Sequence, residues 1–301
     1  MTRRPLLLST LVFLDLETTG LPSFSFKPEI TELCMLAASR FAVEQPRTPI
    51  RVQNKLTLCF RPVRTMNSIA SKISGLNIEN LFHQKDFDNT AVTLIQNFLT
   101  RLDPPVCLLA HNGNRFDFPL LRAHILGICG PDYQLMDCKG SPILCADTLP
   151  MFMEFKSCLT SSSPKKILSD DSGVDSMNTS GETSQDTSNL PVSQSTPKKS
   201  TATSFHLGDV YTRVFGSGHA NAHNAEGDCI AVMDIVQHIG IEAMDWLQTH
   251  YNDFNTIKLN FNLPEQKPSD PAVFPYQNQP VESKNKPVDD AAKKLEAIQI
   301  D

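Results

Sequence analysis

The chain has 301 residues, with 27 Lys+Arg against 33 Asp+Glu for a formal charge of -6, 40% hydrophobic residues and 8 Cys; these values exclude a wholly disordered chain, a collagen-like repeat, a disulfide-dense miniprotein and a strongly basic nucleic-acid coat protein. Length permits one domain with extensions or two small domains, since single cores stop growing at around 250 residues. Taken alone, the acidic balance argues mildly against DNA or RNA as a partner.

Arg3-Arg4 ahead of the apolar run Leu6 to Leu14 has the outline of a secretory signal. No small-residue cleavage site follows, and the run continues into Asp15-Leu16-Glu17, so Leu6 to Leu16 reads as a buried strand. Ile30 to Val43 and Leu56 to Phe60 are β-rich. Helical spacing over Phe87 to Leu102 puts Ala91, Leu94, Ile95, Phe98, Leu99 and Leu102 on one face. Val106 to His111 reads as a short buried strand, Phe116 to Leu126 as a helix and Ile143 to Ala146 as a last strand. Strands followed by alternating strands and helices mark an α/β sheet with helices packed on it.

From 157 to 204 the chain is Ser, Thr, Asp, Gln and Pro without periodicity. Such a segment cannot bury enough apolar surface to offset its chain entropy, so a disordered insertion is expected. His206 to Phe215, Ala225 to Ile239 and Glu242 to His250 read as helices, and beyond Leu263 the chain is Pro- and charge-rich. The expected organisation is a single domain in two pieces, 1–156 and 205–263, with a Ser-rich insertion at 157–204 and a flexible tail at 264–301. No stretch reaches the roughly 18 apolar residues a membrane span needs. The eight cysteines, none in a Cys-x-x-Cys pair, fit buried thiols in a reducing compartment. A cytoplasmic or nuclear protein is expected.

Asp15 and Glu17 sit two apart at the end of the first strand, a spacing that projects both to one face. Carboxylates that close repel unless neutralised, and hard oxygen ligands are what Mg²⁺ selects; Asp-x-Glu by itself also arises by chance in ordinary strands. In His111-Asn-Gly-Asn-Arg-Phe-Asp-Phe-Pro-Leu-Leu121 a buried strand runs through an Asn-Gly turn into a helix. That leaves Asp117 at the strand-to-helix junction, the edge where open α/β sheets hold ligands; the bland alternative is an Asp favouring the helix dipole. In His223-Asn-Ala-Glu-Gly-Asp228, helical steps from Asp228 reach Val232, Ile235 and Ile239. This carboxylate therefore extends a core-facing stripe, an expensive placement unless it is paired or metal-bound. His223 can reach the same place from a loop; a surface histidine, or a zinc pair with His219 at i, i+4, are the alternatives. Four carboxylates and one histidine on one sheet edge meet the needs of two-metal phosphodiester hydrolysis. There one ion acidifies the attacking water, the other stabilises the leaving oxygen about 4 Å away, and a neutral imidazole serves as general base.

These segments resemble the motifs of DEDDh, DnaQ-like 3′-to-5′ exonucleases, and more closely those of the three-prime repair exonuclease family. The resemblance runs through Phe13-Leu-Asp-Leu-Glu-Thr-Thr-Gly-Leu-Pro22, Glu29-Ile-Thr-Glu-Leu-Cys34, Ile73-Ser-Gly-Leu76, His111 to Leu121, Leu207-Gly-Asp-Val-Tyr-Thr-Arg213 and His223 to Asp228. It implies an α/β, RNase H-like fold with a mixed five-stranded sheet and flanking helices. It also implies Asp15, Glu17, Asp117 and Asp228 as ligands of two Mg²⁺ ions, with Mn²⁺ as a substitute, and Glu17 and His223 as catalytic groups, His223 activating water. The implied reaction releases 5′-nucleoside monophosphates from a DNA 3′ end, single-stranded or frayed. Leu21 and Pro22 are implied to abut the terminal base, Ile73 and Phe116 to line the nucleotide pocket, and Arg115 to contact phosphate. Core packing for Ile73 and Phe116, and a surface salt bridge for Arg115, stand as alternatives. A homodimer through the edge candidate Val52 to Phe60 follows by analogy.

Two features depart from the family pattern. Gly216-Ser-Gly-His-Ala-Asn-Ala222 stands where a vertebrate member carries a polyproline stretch, and a hydrophobic C-terminal anchor is not expected here. Ser163-Pro-Lys-Lys166 and Thr196-Pro-Lys-Lys199 flank the insertion, each a proline-directed phosphoacceptor before two lysines. Phosphorylation there is expected to weaken attraction for DNA, the alternative being a solvated linker with incidental charges. RNA trimming or polymerase-associated proofreading by the same site, a non-catalytic nucleic-acid-binding module and a scaffold acting through the insertion are the competing functions.

Overall fold

Strand β1 (Thr10–Thr18) is buried along most of its length because it runs up the middle of a sheet covered on both faces. It pairs antiparallel with β2 (Ile30–Ser39), and β2 in turn with β3 (Asn54–Cys59). On its other side β1 runs parallel to β4 (Val106–Ala110), which is parallel to β5 (Leu144–Asp147); β6 (Asn252–Asp253) closes that edge antiparallel to β5. The order is β3-β2-β1-β4-β5-β6. The helices are α1 (Arg40–Val43), α2 (Ser68–Ser74), α3 (Ile78–Leu81), α4 (Asn89–Thr100), α5 (Asp117–Cys129), α6 (Thr148–Glu154), α7 (Leu207–Phe215), α8 (Ala225–Ile239) and α9 (Ile241–Leu247). This computed structural model describes residues 7–22, 26–45, 49–160 and 203–259. Ser163, Thr196, their lysines and the expected tail at 264–301 lie outside the described residues. Among the described residues no helix is long and apolar enough to cross a membrane.

Five strands are expected from the sequence and six are present among the described residues; the sixth spans two residues, too few for any alternation to announce it. The first strand begins later than its apolar run and extends to Thr18, so Asp15 and Glu17 lie within it rather than closing it. The β-rich run from Ile30 divides at Ser39, whose hydroxyl accepts from the Ala42 amide at 3.2 Å and starts α1. On α4, Leu94 is 43% exposed, contrary to the expected face, and Val92 is buried in its place. The buried stripe of Ala91, Ile95, Phe98 and Leu99 widens toward Val92, which leaves Leu94 on its opposite flank. The described chain continues past Ser157 to Thr160 with Leu159 buried, and resumes at Thr203. His111 Nε2–H donates to the Phe205 carbonyl at 2.8 Å and so fastens this second piece to the exit of β4.

The alternation of β1 decides where the acids go. Leu11 and Phe13 pack with Cys34, Leu36 and Ala38 of β2 and with Cys229, Val232 and Val236 of α8. Val12, Leu14 and Leu16 pack on the opposite face, with Ile95 and Leu99 of α4 and Phe118 and Leu121 of α5. Each buried Leu, Val, Ile or Phe side chain among them contributes about 1.5–3 kcal/mol through removal of apolar surface from water. Because strand side chains alternate, the series Leu11, Phe13 continues into Asp15 and Glu17. Both carboxylates therefore stand on the α8 face, in the part of β1 that runs on past the end of β4.

Candidate metal centre

Three segments deliver carboxylates to that end of the sheet. Asp15, Glu17 and Asp228 each bring an oxygen within 4.8 Å of the other two. Asp117 stands outside this mutual triad but beside it, since the Leu16 amide, between Asp15 and Glu17, donates to its side chain. The turn that places Asp117 is tightly packed: a Cβ on Gly113 would lie 2.7 Å from the Ala110 Cβ and 2.8 Å from the Phe118 ring. Asn112 takes a left-handed φ of 61, and the Asn114 amide donates to Asp147 Oδ2 at 3.1 Å. Asp117 then opens α5 only 4% exposed.

Asp228 occupies the first turn of α8, whose start is fixed by Asn224; its side chain accepts from the Glu226 and Gly227 amides at 3.1 and 3.2 Å. Gly227 permits the preceding loop to lie across this turn, because a Cβ there would be 2.3 Å from the Asn221 carbonyl oxygen. Glu32, opposite Glu17 in the β1–β2 register, accepts from the Ala225 amide at 3.2 Å and ties the helix start to the sheet. His223 is exposed with φ 63, and its backbone amide donates to Asp228 Oδ1 at 3.4 Å. The imidazole that reaches this carboxylate is that of His219, with Nε2 2.6 Å from Oδ1.

The electrostatics follow from burial. Desolvation is the largest influence on Asp15, and repulsion from Asp117, Asp228 and Glu17 adds to it, so its carboxyl is held well above the usual range. Glu17 is pushed up to about 8 by burial, then by Asp228, Glu32 and Asp117. Asp117 is also pushed up to about 8 by burial, with its own amide opposing, Asp147 repelling and the Leu16 amide opposing again. Carboxyls that resist ionising together are what a bound cation stabilises. An all-oxygen donor set suits a hard divalent ion rather than a thiolate-seeking one. The residues present fit such an ion.

The other expected contacts separate by exposure. Leu21 is 79% exposed just past β1, beside Pro22. Ile73 is 48% exposed on α2; this helix is capped by Asn67, whose amide donates to the Thr19 carbonyl at 2.8 Å, so it starts against the β1 exit. Phe116 is half-buried against the core on the α4–α5 face, and Arg115 is exposed in the same turn. Glu32 is a site neighbour that the sequence did not single out as functional, and His219 entered only as an alternative zinc ligand beside His223. Glu32 had a readable signal, because it shares the inward series with Cys34, Leu36 and Ala38. His219 had only its spacing from His223.

The mixed sheet with helices on both faces is similar to that of solved nucleases. The chain is similar to E. coli exonuclease I in complex with a dA16 oligonucleotide, with TM-score 0.53 and 18% identity, covering 80% of this chain and 43% of that one. It is also similar to cell-death related nuclease 4, with TM-score 0.50 and 14% identity over 77% of this chain and 64% of that one. The chain thus spans less than half of exonuclease I, and at these identities the shared property is the α/β, RNase H-like exonuclease fold. No protein-family model matches the sequence. Whole-chain similarity is higher to Bos taurus three-prime repair exonuclease 1, 35% identical over 261 residues covering 83% of this chain and 69% of that protein. Homo sapiens three prime repair exonuclease 2 is 32% identical over 271 residues, covering 86% and 95%. The chain belongs to the three-prime repair exonuclease family.

Proposed function

We propose that this chain is a 3′-to-5′ DNA exonuclease that releases 5′-nucleoside monophosphates with two Mg²⁺ ions per site, Mn²⁺ substituting. The observation that carries this reading is the approach of Asp15, Glu17 and Asp228 to within 4.8 Å, with buried Asp117 beside them. These four carboxylates hold the ions. When bound, the ions supply Lewis-acid polarisation of the phosphodiester and acidify the attacking water. A ring nitrogen of His223, on the exposed turn before α8, accepts the proton of that water. Leu21, Pro22, Ile73 and Phe116 offer apolar surface on which any base can pack, the chemistry of sequence-tolerant single-strand binding. Arg115 sits two residues before Asp117 and contacts phosphate. β3 is one of the two outer strands of the sheet, and its place at the edge supports homodimer formation, which sedimentation at micromolar concentration checks.

The deciding experiment follows mononucleotide release from a 3′-labelled single strand in Mg²⁺, comparing wild type with Asp15→Ala and His223→Ala. Asp15→Ala is expected to lose at least a thousandfold in rate, and His223→Ala about a hundredfold or more, the range for loss of a general base. Equal release by all three proteins would sink the site assignment. RNA and DNA oligonucleotides of matched sequence, run side by side, separate DNA exonuclease activity from RNA trimming.

A further inference from the structure

We propose that His219 is a positioning residue for Asp228, holding one carboxylate oxygen so that the other is left for the cation; this rests on the metal-centre reading above. The Nε2–H of His219 donates to Asp228 Oδ1 at 2.6 Å, and the His223 amide donates to the same oxygen at 3.4 Å. Both bonds fall on Oδ1. A carboxylate anchored through one oxygen has its side-chain rotation fixed, and residues that orient a metal ligand in this way tune metal affinity by about 10–100-fold.

The histidine is itself held in place. Its side chain is only 6% exposed, against 15% for Asp228. The Tyr211 ring lies 5.3 Å from its centroid, and Tyr211 is fixed by the Phe215 ring at 4.5 Å and by a hydroxyl bond to Asp234 Oδ2 at 3.3 Å. α7 thus supplies a wall and α8 supplies the acceptor, with the imidazole wedged between them. His223 differs in every one of these respects: it is exposed, and only its backbone reaches Asp228. The two histidines of the loop divide the work, His219 toward the ligand and His223 toward the water.

The test is Mn²⁺ binding to the full chain, by titration calorimetry and by the Mn²⁺ electron paramagnetic resonance signal, for wild type, His219→Phe, His219→Gln and Asp15→Asn. Phe keeps the ring volume against Tyr211 and removes the donor; Gln places a carboxamide N–H where the imidazole N–H was. His219→Phe is expected to bind Mn²⁺ at least tenfold more weakly, and His219→Gln within threefold of wild type. Melting in EDTA is expected to stay near wild type for both. Wild-type affinity in His219→Phe would overturn the proposal, as would a tenfold loss in His219→Gln. Should Phe lower the EDTA melting temperature, the Gln variant carries the decision by the same thresholds. Asp15→Asn separates the two levels. If it abolishes Mn²⁺ binding while His219→Phe leaves it intact, only the role of His219 falls; if it leaves binding intact, the metal centre falls and the positioning role with it.

Discussion

Glu17, one of the proposed ligands, opposes folding wherever its carboxyl must ionise. Its carboxyl is raised from 4.5 to about 8 by burial and neighbouring acids. Between those two pH values the folded chain holds a proton there that the unfolded chain has lost. The unfolded state thus binds fewer protons, and this group makes stability fall as pH rises across the window. Glu17→Gln removes the burden. In EDTA its melting temperature is expected to match wild type near pH 4.5 and to exceed it by several degrees at pH 8, a gain on the order of 1–2 kcal/mol. Mg²⁺ should close the gap by raising wild type, and mononucleotide release by the variant should drop at least a hundredfold. An equal gain at both pH values would show that charge at this position is not what Glu17 contributes.

The elements differ in how openly the sequence declares them. α8 was legible to the residue, Ala225 to Ile239, because its apolar stripe is long and Asn224 caps it. The face of Asp15 and Glu17 was legible from strand alternation alone. α2 and α3 were not, since seven and four residues give too little periodicity, and only their caps at Asn67, Gly75 and Asn77 mark them. The site was legible in its acids, which stand out against apolar runs. It was not legible in His219, whose contact with Asp228 depends on how the loop crosses α8. Gly227 controls that crossing. Gly227→Ala would drive a Cβ to 2.3 Å from the Asn221 oxygen, so the loop must lift away. The expected result is a loss of about 1–3 kcal/mol in stability, as for overpacked sites, with at least a tenfold loss of mononucleotide release. A crystal structure of the variant with the loop unmoved and activity intact would refute this.

Across the whole molecule, the net charge of -6 taken by itself opposes the approach of a polyanion. Four of the acids behind it are the proposed ligands, so two divalent cations cancel the negative charge of the site when they bind. Single-strand affinity should therefore depend on metal and only weakly on salt. For His223→Ala in Mg²⁺, fluorescence anisotropy from 50 to 200 mM salt is expected to give a log–log slope of roughly -1 to -3. EDTA should weaken binding at least tenfold. Indifference to EDTA would mean that the oligonucleotide is held elsewhere.

The proposed ligands come from β1, the head of α5 and the head of α8, segments separated by about a hundred residues of chain each. No fragment of the polypeptide holds the set, and no local structure anticipates it; the proposed cation-binding oxygens meet only when α5 and α8 have docked on opposite faces of the sheet at β1. A chain still being synthesised, or trapped part-folded, accordingly lacks the means to cut. Completion of the fold is the safety catch, and a nascent copy beside nucleic acid is as inert as any other unfolded polymer.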